Sequence, residues 1–183
     1  GHGDFAPALV SFAGAVLLED CLLADNYFGV VATVDGEVTL RRCTLTGQET
    51  GAVGTELSGQ ATLESCIVWD NNPALGVELD PSGGPIDATW SIVKGGWPGT
   101  GNSAADPLFA NAAGGDYALL SGWPAIDSGL PTDPVSGFDL AGMPRRLDGL
   151  LDVGSEVDRG ALEFDNVRLA TSSPAAGVLK EIR

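Results

Sequence analysis

Three cysteines, Cys21, Cys43 and Cys66, fall 22 and 23 residues apart, each inside a similar stretch of chain. Leu17-Leu18-Glu19-Asp20-Cys21-Leu22-Leu23 aligns with Thr39-Leu40-Arg41-Arg42-Cys43-Thr44-Leu45 and with Thr62-Leu63-Glu64-Ser65-Cys66-Ile67-Val68. A fourth copy, Ala88-Thr89-Trp90-Ser91-Ile92-Val93, follows 25 residues later with Ser91 in the cysteine's place. A repeat of this length constrains the fold more than local propensity does, because every copy must occupy an equivalent place.

Apolar residues keep fixed offsets from the cysteine. Five before it stand Val16, Val38, Ala61 and Ile86; three before it stand Leu18, Leu40, Leu63 and Ala88; two after it stand Leu23, Leu45, Val68 and Val93. Offsets −5 and −3 share one phase of a two-residue period and offsets 0 and +2 the other. Each pair therefore reads as a strand, and the change of phase puts a corner between −3 and 0. Glycine-led segments, Gly29-Val30-Val31, Gly51-Ala52-Val53 and Gly76-Val77-Glu78-Leu79, add a third strand to each unit. Three short strands in 22–25 residues describe one coil of a β-solenoid.

One coil cannot bury its own inward row. Coils stacked at the strand spacing of about 4.8 Å form a continuous core and pair their backbone groups. Like residues then lie on like residues, so Cys21, Cys43, Cys66 and Ser91 are expected as an internal core column. Their Cβ spacing of about 4.8 Å exceeds the roughly 3.5–4.5 Å of a disulfide, and three reduced, buried thiols are predicted. Outward positions Glu19, Arg41 and Glu64, with Asp20 and Arg42 beside them, alternate in sign from coil to coil. That is either a register-selecting charge ladder or a coincidence among surface charges.

Composition excludes several classes. With 25 acidic and 9 basic residues the chain carries −16 and offers no basic stripe, so no nucleic-acid partner is expected. No run of 18 apolar residues spans a membrane. A single histidine, His2, argues against a His-based triad or a multi-histidine metal site. Glycine and proline, 26 and 11 residues, suit short strands and many turns.

Beyond Val93 the repeat gives way to a turn cluster, Gly95-Gly96-Trp97-Pro98-Gly99-Thr100-Gly101-Asn102. There follow Asp106-Pro107-Leu108-Phe109, Gly115-Asp116-Tyr117-Ala118-Leu119 and Ser121-Gly122-Trp123-Pro124-Ala125-Ile126-Asp127-Ser128-Gly129. Asp139-Leu140-Ala141-Gly142-Met143-Pro144-Arg145 and Asp158-Arg159-Gly160-Ala161-Leu162-Glu163-Phe164 complete the series. This ordered string resembles the C-terminal portion of bacterial surface right-handed parallel β-helix proteins of the choice-of-anchor type. The chain departs from that family's pattern at Trp123, where serine is usual, and at Ala141, where an acid is usual; the second departure weakens any metal site inferred by analogy. The resemblance implies an extracellular or cell-surface protein, with irregular strands and loops folding over the last coil. Leu108, Phe109, Tyr117, Leu119 and Ile126 are the apolar residues that would do so.

The fold expected is all-β: a right-handed parallel β-helix of about four coils over residues 1–100, a loop-rich C-terminal cap over 101–164, and a linker with a terminal strand over 165–183. An uncovered N-terminal end points to a longer solenoid or to end-to-end self-association. Trp69, Trp90 and Trp97 are the candidate ligand-binding residues: exposed flat aromatics suit sugar or protein contact, whereas loops folded over Trp69 and Trp90 would make them structural. Asp133, Asp139, Asp148, Asp152 and Asp158 gather in a glycine-rich stretch. They read either as turn-forming carboxylates or as oxygen ligands for calcium, with Asp139 and Asp158 the first candidates. No other cofactor is expected. No coil offers an adjacent pair of acids flanked by aromatic platforms, and no catalytic residue is assigned. The function read from the sequence is a non-catalytic, adhesive or structural surface scaffold with a polysaccharide or surface protein as partner. The alternative is a carbohydrate-active module, as a glycan-binding domain or the end of a polysaccharide lyase or hydrolase.

Overall fold

The computed structural model describes residues 6–72, 74, 76–122, 124–133, 137–147 and 156–164. Four successive turns of chain contribute three strands each: β1 (Pro7–Phe12), β2 (Ala15–Glu19) and β3 (Leu22–Ala24); β4 (Phe28–Thr33), β5 (Glu37–Arg41) and β6 (Thr44–Thr46). The third and fourth turns supply β7 (Val53–Thr55), β8 (Gln60–Glu64) and β9 (Ile67–Trp69), then β10 (Leu79–Asp80), β11 (Ile86–Thr89) and β12 (Ile92–Val93). Equivalent strands pair in parallel, giving three four-stranded sheets in the orders β1-β4-β7-β10, β2-β5-β8-β11 and β3-β6-β9-β12. The molecule is thus an all-β parallel solenoid of about four turns. Among the described residues helix is limited to one 3-10 turn, Ala112–Gly114.

The register follows the repeat. Val16, Val38, Ala61 and Ile86 are consecutive partners, as are Leu18, Leu40, Leu63 and Ala88, and Leu23, Leu45, Val68 and Val93. Together with Leu9, Val30, Val53 and Leu79 of the first sheet they form the central core. The corner expected between offsets −3 and 0 is made by one residue of left-handed backbone at offset −1: Asp20, Arg42, Ser65 and Trp90, with φ of 50–55°. Such residues ordinarily cost about 1–2 kcal/mol each. Here the first three amides donate to carbonyls of the following turn, at Arg41, Glu64 and Thr89, and that of Trp90 to Thr100 in the segment across the fourth turn's edge, so stacking offsets the local penalty.

The edge of the fourth turn is occupied by residues 97–103. The Trp97 indole packs on the core and donates to the Ile86 carbonyl at 3.1 Å. Asn102 donates to the Ala88 carbonyl and accepts from the Ser91 amide, and Ser103 bridges to Ile92. After this, β13 (Phe109–Asn111) and β14 (Asp116–Leu119) form an antiparallel hairpin.

The apolar residues expected over the last coil gather at its flank, against Ile92 of that coil and Ile67 of the one before. Leu119, Ala125, Ile126 and Phe164 form a second core with Ile67 and Ile92, which stand on the outer side of the third sheet; Phe109 packs at its margin. Tyr117 is buried edge-on against Phe109, with ring centroids 5.4 Å apart, while Leu108 stays exposed. The physical reason is the offset +1 position. It is apolar in the last two turns, so the third sheet presents an isoleucine stripe outward that must itself be covered. The later chain runs along the solenoid's flank, where Gly160 has φ of 89° and lies close against Thr44 and Ile67. A side chain at Gly160 would meet both a strained backbone and an occupied space.

Candidate functional site

Cys43 and Cys66 are fully buried and Cys21 is half-buried; all three are free thiols. Each stands just past the corner. The Cys43 Sγ lies 3.2 Å from the Arg41 carbonyl and 3.5 Å from that of Leu18; the buried Ser91 hydroxyl donates to the Thr89 carbonyl at 2.9 Å. Backbone bonds from Thr44 to Cys21, Ile67 to Cys43 and Ile92 to Cys66 link successive members of this column. The partial exposure of Cys21 departs from the expectation of three buried thiols: it belongs to the first turn, which has no described turn on its far side.

Trp97, which opens the end segment, is half-buried and held by its own hydrogen bond to the Ile86 carbonyl. Trp90 is half-buried, with Gly101 seated against its ring; any side chain at Gly101, where φ is 72°, would collide with that ring. Trp69 is half-buried beside the second core, with the Lys94 ammonium 5.7 Å over its ring. Trp123, Asp148, Asp152 and the segment 165–183 lie outside the described residues.

Asp139 and Asp158 are both buried, and their oxygens accept backbone amides. Asp139 Oδ1 takes the amides of Ala141 and Met143, and Oδ2 that of Glu163; Asp158 Oδ1 takes Asp127 and Oδ2 takes Phe164. Among the described residues no group of three or more potential ligands is positioned to hold a metal ion.

What the structure does bring together is an ionic clamp. The charge ladder is present, with Arg41 to Glu64 at 2.7 Å and Arg42 to Asp20 at 2.8 Å. Arg42 is buried and reaches Asp133 at 2.8 Å. Arg145, whose side chain is wholly buried, bridges Asp20 at 2.6 Å and Glu163 at 2.8 Å. Burial works against the Arg42 charge, but bonds to Asp20 and Asp133 outweigh it and raise its pKa. Burial pushes Glu163 up despite Arg145, and burial together with the Glu163 charge pushes Asp158 up to about 8. Arg159 is buried against the carbonyls of Ser128 and Ser91, and desolvation lowers it to about 10.

A second polar feature lies inside the tube. Gln48 Oε1 accepts the Asn26 amide, Asn71 Oδ1 accepts the Gln48 amide, and the Glu78 carboxylate accepts both the amide and the Nδ2 of Asn71. The nitrogens of Gln48 and Asn71 donate inward to carbonyls at Leu23 and Leu45. This amide ladder satisfies backbone groups at a buried corner where water cannot. Its last member opens on a cavity of about 450 Å³ lined by Asp70, Asn71, Asn72, Glu78 and Lys94 with Gly76 and Gly95. Lys94 pairs with Asp70 at its rim, and burial raises the pKa of Glu78. The ladder could have been found by its spacing, since Asn26, Gln48 and Asn71 all stand five residues after a cysteine. The clamp had no such signal, because its partners are about a hundred residues apart.

Comparison with known protein families, curated proteins and solved structures returns no match for this chain.

Proposed function

We propose that this chain is a non-catalytic scaffold of the bacterial cell surface or extracellular space, adhesive or structural, built as a right-handed parallel β-helix. The right hand is the sense that nearly all parallel crossovers take. The capping role is proposed for the region 101–164, begun by the segment 97–103 at the edge of the fourth turn. The observation that carries the scaffold reading is the use made of the polar groups. Asp139 and Asp158 are spent on backbone amides, Arg42 and Arg145 on holding distant segments together, and Asn71 on the ladder. The surface location rests on the resemblance of the string from Asp106 to Phe164. Beads coated with the purified chain should adhere to cell-wall or host-surface preparations without releasing reducing sugars or unsaturated uronates. Catalytic release of either product overturns the reading.

The carbohydrate-active alternative is favoured by one place, the cavity beside Trp69, where Lys94, Asp70 and Glu78 adjoin a half-buried aromatic ring. Glycan-array binding abolished by Trp69→Ala would support it, and an unchanged binding profile would remove it. Calcium remains a proposal only as an occupant gained by displacing the amides on Asp139 or Asp158. End-to-end association is proposed through the first turn, where β1, β2 and β3 are outermost in their sheets. Sedimentation at rising concentration tests it, and a strict monomer counts against it.

A further inference from the structure

We propose that the outer face of the first sheet is a docking groove for an extended polypeptide segment of a partner protein, apolar at one end and basic at the other. The groove, about 370 Å³, crosses β1, β4, β7 and β10 and is lined by Val10, Phe28, Val31, Glu56 and Asp80 among others. Its outward columns follow from the register: Val10, Val31, Gly54 and Asp80 in one, Phe12 and Thr33 leading to Glu56 in the other. Both change character along the tube. Val10 and Phe12 are 50% and 67% exposed at the first turn, whereas the far end carries exposed carboxylates. Gly54 makes room for the Phe28 ring, which fills the middle of the floor so closely that a Cβ at residue 54 would lie 2.9 Å from it.

Charge complementarity selects the basic end. Among the described residues no ion pair reaches Glu56 or Asp80; Arg41, Arg42, Lys94 and Arg145 are paired with other acids, Arg146 donates to the Asp133 carbonyl, and Arg159 is buried against carbonyls. The exposed Val10 and Phe12 at one end and the carboxylates at the other together favour polypeptide, which presents an apolar and a cationic side chain on one extended face. Three coil steps of about 4.8 Å separate β1 from β10, close to the span of roughly four residues of extended chain. A lysine or arginine four positions after an apolar residue therefore meets both ends.

The proposal builds on the adhesive-scaffold reading, but a defined peptide tests it separately from adhesion by the whole surface. The probe is a fluorescein-labelled short peptide with alternating valines followed by alternating lysines, titrated with the full chain by anisotropy. Saturable binding is expected, weakened by salt and lowered about tenfold by Glu56→Lys with Asp80→Lys, the scale of losing two exposed pairs and meeting like charge. Val10→Ser should weaken it as well, and circular dichroism should show both variants folded. Absent binding, binding indifferent to the double reversal, or equal binding of a peptide with glutamates for lysines overturns the proposal. So does equal affinity for a glucosamine oligomer. Adhesion by coated beads alongside absent peptide binding would spare the scaffold reading while removing the groove.

Discussion

Asp20, in the first turn of the solenoid, and Arg145, 125 residues further along the chain, form an ion pair of 2.6 Å that ties the flank segment to the tube. The Arg145 side chain has no exposure, and its other terminal nitrogen, Nη1, holds Glu163. Arg145→Leu strands a buried carboxylate without its cation, and a loss of about 3–5 kcal/mol is expected. Asp20 is partly exposed, so Asp20→Asn should cost less, about 1–2 kcal/mol. Urea denaturation of both variants measures this. An Arg145→Leu variant as stable as the parent would mean that the clamp contributes nothing net.

Buried acids give the clamp a pH dependence of definite sign. Asp158 stands at about 8 against an ordinary 3.8, first through burial and then through the Glu163 charge, and Glu163 is raised in the same direction. Below the ordinary value both folded and unfolded chains hold the proton. As pH rises the unfolded chain releases it first, so stability falls until the folded group also ionises near 8. The chain should be more stable at pH 5 than at pH 8 by up to several kcal/mol. Asp158→Asn should start lower, having lost an amide acceptor, but show a flatter profile. Thermal melts from pH 5 to 9 decide it; a rising profile, or an unaltered slope in the variant, contradicts this assignment.

The thiols should separate by position. The Cys43 thiol is raised by its bond to Cys66 and by burial, and Cys21 is raised by burial and by the neighbouring Cys43. With an aromatic disulfide reagent at pH 8, Cys21 should react slowly in the native protein. Cys43 and Cys66 should react only after denaturation. Mass spectrometry identifies the sites, and early labelling of Cys66 would place it outside the core.

How much of this was legible depended on the distance between partners. Offsets from the cysteines located eight of the twelve solenoid strands and the corner seen at Asp20, Arg42, Ser65 and Trp90. The charge ladder followed from the same alignment because its members are one coil apart. Its second use was hidden: nothing near Arg42 in sequence announces that Asp133 will complete its burial. The isoleucines at offset +1 were visible, yet only the packed structure shows that they draw Leu119 and Ile126 to the flank. Of the candidate site residues, Asp139, Asp158 and Trp97 are engaged in hydrogen bonds that bind the fold, and spacing alone does not reveal a partner's identity.

The amide ladder gives a fourth prediction. Asn71 serves the Gln48 amide, the Leu45 carbonyl and Glu78 at once. Asn71→Ala leaves those groups buried and unmet, with an expected cost of about 2–4 kcal/mol. Asn71→Asp should be worse, since it sets a second carboxylate against Glu78. Denaturation midpoints rank the two, and an aspartate variant more stable than the alanine one would refute the ladder's polarity.

Stacked coils in the stated register make one direct demand on Leu18, Leu40 and Leu63, which pair in succession across β2, β5 and β8. Methyl–methyl NOEs in a leucine-labelled sample read it. At about 4.8 Å per coil, strong cross-peaks are expected between Leu18 and Leu40 and between Leu40 and Leu63, with the Leu18–Leu63 peak weak or missing. A strong Leu18–Leu63 peak, or none joining Leu40 to either neighbour, would contradict the solenoid.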